Sequence, residues 1–132
     1  PDLLIDFATL TGAARVALGV DLPALFCNDD ALAADLIAAG TREQDPMWRM
    51  PLWPGYRKMI DGKTGDITNA PEGGFAGAIT AALFLQEFVG PGIPWAHIDM
   101  MAWNQSNRPG RPEGGEAMSV RACYEMIKRR YG

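Results

Sequence analysis

A chain of 132 residues, 48% of them hydrophobic, is one domain at most and carries enough apolar side chains for a buried core. Its formal net charge of −4, with Lys and Arg clustered only near the carboxyl terminus, excludes a nucleic-acid-binding surface. No apolar run reaches the roughly 18 residues of a membrane span and no signal-peptide layout is present, so a soluble cytoplasmic protein is expected.

Leu3 to Ala8 is an apolar run broken only by Asp6, and reads as a buried strand. It stops at Thr9-Leu10-Thr11-Gly12, after which Ala13 to Leu18 reads as a short helix closed by Gly19. Thr11 is the expected N-cap, because its hydroxyl can satisfy a free N–H of the first turn. Such a turn leaves main-chain N–H and C=O groups pointing outward beyond the strand's carboxyl end, where open α/β sheets bind ligands. The chain enters a strand by residue 3 and begins with Pro1 rather than Met, so a longer parent polypeptide is expected.

Pro23 to Cys27 is a second apolar run, short enough for a central strand. Asn28 is expected to cap a helix with Asp29 and Asp30 in its first turn, Leu32, Leu36 and Ile37 on its apolar face, and Gly40 as its stop. Residues 45–74 are interrupted by Pro46, Pro51, Pro54 and Pro71 and loaded with Met47, Trp48, Met50, Trp53 and Tyr56. A loop of that length in a compact domain covers a site or an interface.

Phe75 to Val89 is apolar nearly all round and predicts a helix buried on several sides, ended by Gly90-Pro91-Gly92. Ile93 to Met101 predicts a third strand, with His97 and Asp99 inside it. A Pro- and Gly-rich loop, Asn104 to Gly115, leads to a last helix from about Ala117, its apolar face carrying Val120, Cys123, Tyr124 and Ile127. Strand–helix–strand–helix, a long excursion, then helix–strand–helix predicts an α/β fold: a mostly parallel sheet with helices on both faces. The three strand exits, Thr9 to Gly12, Asn28 to Asp30, and Asp99 to Asn104, are then expected on one edge.

The residues supply little chemistry beyond that edge. G-x-S-x-G, H-E-x-x-H, C-x-x-C and P-loop patterns are absent. Cys27 and Cys123 read as buried free thiols. Asp29-Asp30 reads as a helix-dipole partner before a cation site, and His97, without a second His, as a hydrogen-bonded core residue. Asp6 and Asp99 sit within apolar runs and need buried partners or a place at the site edge. Arg108 and Arg111, in a Pro/Gly loop, read as solvated side chains that are able to hold a carboxylate.

Several segments together resemble the C-terminal part of the leucyl aminopeptidase family of metallopeptidases: Asp2 to Ala13 (DLLIDFATLTGA), Pro51-Leu52-Trp53, Asp66 to Asn69, Ala76 to Val89 (AGAITAALFLQEFV) and Trp95 to Asp99 (WAHID). The resemblance spans the whole chain in order. It implies an α/β/α catalytic domain of which residues 1–132 form an incomplete, C-terminal part. It further implies two divalent metals, zinc or manganese, removal of N-terminal residues from peptides, and a homohexamer. In that family the metal ligands lie on an Asn-Thr-Asp-Ala-Glu-Gly-Arg motif and on Lys and Asp before it, all expected upstream of Pro1. No metal ligand and no catalytic residue is therefore assigned to this chain, and no bound metal is expected on it.

The substrate-binding residues that carry over are Thr9, Leu10, Thr11 and Gly12, matching the family's Thr-Leu-Thr-Gly turn, and Met101, at the wall of the pocket for the first side chain. Met101 stands where a small Ala is common, so a narrower pocket is expected, with a plain core role for Met101 and Trp103 as the alternative. Gly73-Gly74-Phe75 places Phe where the family often has Arg. Asp66 and Asn69 match, and suit a turn-stabilising role. The rival functional reading is a non-catalytic α/β binding domain on the same scaffold, with the Trp- and Met-rich loop as its contact surface.

Overall fold

The computed structural model describes residues 1–132. Four strands form one sheet in the order β1-β4-β2-β3, with β1 at Leu4–Ala8, β2 at Ala24–Cys27, β3 at Trp48–Arg49 and β4 at Trp95–Asp99. β4 is flanked on both sides, and all five of its residues are buried. Side chains alternate across it. On one face, Leu25, Cys27, Ala96 and Ile98 pack against α2 (Asp30–Arg42) and α4 (Val120–Tyr131). On the other, Ala24 and Phe26 pack against α1 (Gly12–Leu18) and α3 (Gly77–Gln86). The architecture is an α/β/α sandwich, as expected.

The sheet is mixed. β1 pairs with β4 in parallel, Asp6 opposite His97, and β3 pairs with β2 in parallel, but β2 runs antiparallel to β4, Leu25 opposite Ile98. The expectation that three strand exits share one edge is therefore corrected. Asn28, at the end of β2, lies beside the start of β4, where its amide donates to the Ile93 carbonyl at 3.0 Å and accepts from the Trp95 N–H at 2.8 Å. The short α1 allows that direction. Its seven residues rise only about 10 Å, short of the roughly 17 Å needed to carry the chain back along a five-residue strand.

Helix limits also differ from those expected. Asn28, held by the sheet, does not cap α2; Asp29 does, accepting from the Leu32 N–H at 2.7 Å. Gly40 does not stop α2. It is buried within the helix, where a Cβ would stand 2.8 Å from the Asp45 carbonyl oxygen. α3 is shorter than the apolar run, because Ala76 takes a left-handed conformation (φ 58°) just before it. α4 begins at Val120, after left-handed Ser119 (φ 63°), and buries Ala122, Cys123 and Met126. Of the expected face, only Cys123 is inside; Val120, Tyr124 and Ile127 point outward. The long excursion is built rather than irregular, carrying β3 and a 3₁₀ helix at Pro54–Ile60 with proline in its first turn. A small ribbon, β5 (Trp103–Asn104) with β6 (Gly114–Gly115), closes the last loop.

Candidate functional site

The turn after β1 is organised by one buried carboxylate. Asp99, the last residue of β4, accepts from the Leu10 N–H at 3.0 Å and the Thr11 N–H at 3.3 Å through Oδ1, and from the Thr11 hydroxyl at 2.6 Å through Oδ2. The Thr11 hydroxyl, having donated its proton, accepts from the Ala14 N–H at 3.1 Å and caps α1 as expected. Asp99 thus takes the structural role, at the site edge. This corrects the expectation that the turn's N–H groups all point outward, since those of Leu10 and Thr11 are turned inward to a carboxylate that would otherwise be a buried, unpaired charge. The carbonyls of Thr9 and Leu10 accept no backbone hydrogen bond. The turn therefore offers acceptors, which suit the N–H groups of a ligand.

Thr9, Thr11, Gly12 and Met101 lie together on a cleft of about 360 Å³, with Arg15 and Asp99 also in its wall. Met101 is half-buried there, its sulfur accepting from Arg15 Nη1 at 3.3 Å, and Trp103 is 48% exposed, so neither belongs to the core. Leu10 is not in that cleft. It faces a second one, of about 250 Å³, with Asn69 and Phe75, and Thr11 borders both. A Cβ on Gly12 would meet only Arg15 Nη2, at 3.8 Å, so this chain has no steric need for glycine at that position. Gly77 does have one: a Cβ there would stand 3.2 Å from the Ala13 Cβ, where α1 crosses α3.

The remaining candidates take structural places. His97 is 1% exposed, with Nδ1 2.5 Å from Asp6, and its ring stacks on Trp95 and Phe26. Asp6 also accepts from Trp95 Nε1 at 2.7 Å. Asp29 is a cap, while Asp30 pairs with Arg49 at 2.5 Å, so the two carboxylates do not converge. Arg108 holds Asp21 at 2.8 Å and Arg111 lies 3.8 Å from Glu116. The turn near Asp66 rests on backbone bonds and the Thr68 hydroxyl, not on the side chains of Asp66 or Asn69. Both cysteines are free and buried, and burial pushes each thiol up, Cys123 to about 12.

Two features were not read from the sequence. Asp45 is buried and accepts from the N–H groups of Ser119, Arg121 and Ala122 at 2.8, 3.0 and 3.2 Å, capping α4 from a distant segment. A carboxylate between a helix end and Pro46 gives no periodic signal of that role. The largest cavity, about 740 Å³, lies at the other end of the sheet, between Cys27, Asn28, Arg49, Leu52, Arg57 and Glu87. Its guanidinium groups are already occupied, Arg49 by Asp30 and Arg57 by Glu87 at 2.6 Å and Asp61 at 2.8 Å.

The carboxylates, thiols and imidazole of this chain form no group of three or more able to hold a metal ion. No helix is long and apolar enough to cross a membrane. The family model described as "Cytosol aminopeptidase family, catalytic domain" matches residues 1–124. A probable cytosol aminopeptidase of Roseiflexus castenholzii is 45% identical over 131 residues, covering 97% of this chain and 26% of that protein. The crystal structure of a cytosol aminopeptidase from Coxiella burnetii superposes with a TM-score of 0.94 at 55% identity, over 100% of this chain and 29% of the other. The bottromycin maturation enzyme BotP, solved in complex with Mn, superposes with a TM-score of 0.92 at 39% identity, over 98% of this chain and 29% of the other. The chain thus spans about a quarter of the length of the curated relatives it matches.

Proposed function

Because this chain belongs to the cytosol aminopeptidase family, we propose that it forms the peptide-holding wall of a metal-dependent aminopeptidase that releases N-terminal residues from peptides in the cytoplasm. The observation that carries this reading is the turn at residues 9–12. It is locked from behind by Asp99, it leaves the Thr9 and Leu10 carbonyls without partners in the chain, and it carries a glycine that the fold itself does not need. Free carbonyls on a rigid turn bind the N–H groups of a peptide and fix its direction. Met101 shapes the cleft beside it and limits the size of the first side chain.

Zinc or manganese ions, implied by the resemblance and supported by the Mn complex of BotP, do not fit this chain's own residues. Under this proposal they are held by ligands from another part of the parent polypeptide, and no step is assigned to them. The parent is proposed to be a homo-oligomer, a hexamer as the resemblance implies, and residues 1–132 the C-terminal part of its catalytic domain.

Two measurements on the 132-residue chain test the reading. Leucine anilide is expected to show no chelator-sensitive turnover. A leucyl dipeptide is expected to shift the amide resonances of Thr9 to Ala13 and Met100 to Met101. Gly12→Ala is expected to weaken those shifts without lowering the unfolding midpoint, since a Cβ there meets no close atom and alanine favours the helix. Turnover by this chain alone, or shifts confined to the 740 Å³ cavity, would overturn the assignment.

A further inference from the structure

The cleft beside the turn at residues 9–12 has one cation in its wall, Arg15 of α1. Its guanidinium meets no carboxylate of this chain. Nη1 donates to the Met101 sulfur at 3.3 Å, a weak acceptor, and Nη2 stands 3.8 Å from where a Gly12 Cβ would lie. Glycine at position 12 thus leaves the guanidinium open toward the turn. The arginines of other cavities are engaged. Arg49 and Arg57 in the 740 Å³ cavity, and Arg108 and Arg111 in a smaller polar one, all pair with an Asp or Glu of this chain.

The one carboxylate in the wall of the cleft, Asp99, is committed to the donors of Leu10 and Thr11. A cationic side chain entering the cleft would therefore meet a guanidinium and no free acceptor, and an apolar one would gain nothing from it. A carboxylate would accept from the guanidinium by charge-assisted hydrogen bonds, two at once where the planes align. Under the function proposed above, on which this inference rests, Met101 bounds the space for the first side chain, and Arg15 touches Met101. We infer that Arg15 is a specificity-determining residue, selecting peptides whose N-terminal residue is Glu or Asp.

The test uses the parent polypeptide, assayed with manganese on aminoacyl anilides. These carry no terminal carboxylate, so the only acid present is that of the first side chain. Glutamyl and glutaminyl anilides match in shape and differ in charge. kcat/KM is expected to be at least about tenfold higher for the glutamyl substrate, with the ratio falling as salt rises. Arg15→Gln is expected to bring the ratio to one or below. Arg15→Lys is expected to keep part of it, because the charge survives and the planar fork is lost. Arg15→Glu is expected to favour a lysyl anilide over the glutaminyl one. Each ratio is read within one variant, so a loss of folded protein cancels. Equal rates for glutamyl and glutaminyl anilides, or a preference that survives Arg15→Gln, would sink the inference while leaving the proposed function standing. No turnover of leucyl, glutaminyl or glutamyl anilide by the parent would overturn both.

Discussion

Asp99 is the residue on which the candidate site rests. Its two oxygens take three donors from one turn, and the Thr11 hydroxyl passes the restraint on to the first turn of α1. Asp99→Ala leaves those donors without their acceptor and is expected to cost about 3 kcal/mol. Thr11→Val removes the cap and one donor and is expected to cost about 1–2 kcal/mol. Urea unfolding monitored by circular dichroism measures both. Cys123 sets a pH dependence. Burial, with a smaller push from Asp45, raises its thiol from 9.0 to about 12. The unfolded chain therefore loses this proton first as pH rises. The stability this thiol contributes is complete below about pH 9 and is lost as pH climbs toward 12. Cys27, also raised by burial, acts in the same direction. The urea midpoint is expected to fall between pH 8.5 and pH 11 (approximate window), and Cys123→Ala is expected to flatten that fall.

Among the elements, α2 and α4 depend on the same short connection. Asp45 follows α2 closely enough that its carbonyl presses on Gly40, and its carboxylate reaches the start of α4. Gly40→Ala places a methyl group 2.8 Å from that carbonyl oxygen, so the Asp45 segment must move. We expect a loss of roughly 1–3 kcal/mol by overpacking, although alanine favours the helix itself. Asp45→Ala is expected to cost about 2–3 kcal/mol, more than an ordinary exposed cap, because it leaves buried N–H groups unsatisfied. The double variant should cost less than the sum of the two, since both perturb one segment. Thermal melts of the three variants supply the comparison.

For the whole molecule, strand direction is decisive. The antiparallel β2 sets two concavities at opposite ends of the sheet: the turn at residues 9–12 lies at the carboxyl end of β1 and β4, and the 740 Å³ cavity at the other end. β1 has a neighbour on one side only, so Ile5 and Phe7 present main-chain groups to the open edge. That edge is expected to drive concentration-dependent association of this chain. Phe7→Lys should shift sedimentation toward monomer, because a charge on an edge strand opposes strand addition. A mass unchanged by that substitution would place the contact elsewhere.

The chain's local chemistry determined much by itself. Continuous apolar runs gave β1, β2 and β4 to within a residue or two, Thr11 declared its capping role, and segments such as Thr9 to Gly12 and Trp95 to Asp99 carried the family. A cap or a periodicity is written within a few neighbouring residues, so it can be read there. Tertiary structure alone decided the direction of β2, the face of α4 that is buried, the hidden capping by Asp45, and the inward turn of the Leu10 and Thr11 N–H groups. Each of these depends on a partner far along the chain: Asp99 is 89 residues from Leu10, and Asp45 is 74 from Ser119. An apolar run has no direction and a lone carboxylate has no address until folding brings its donors to it.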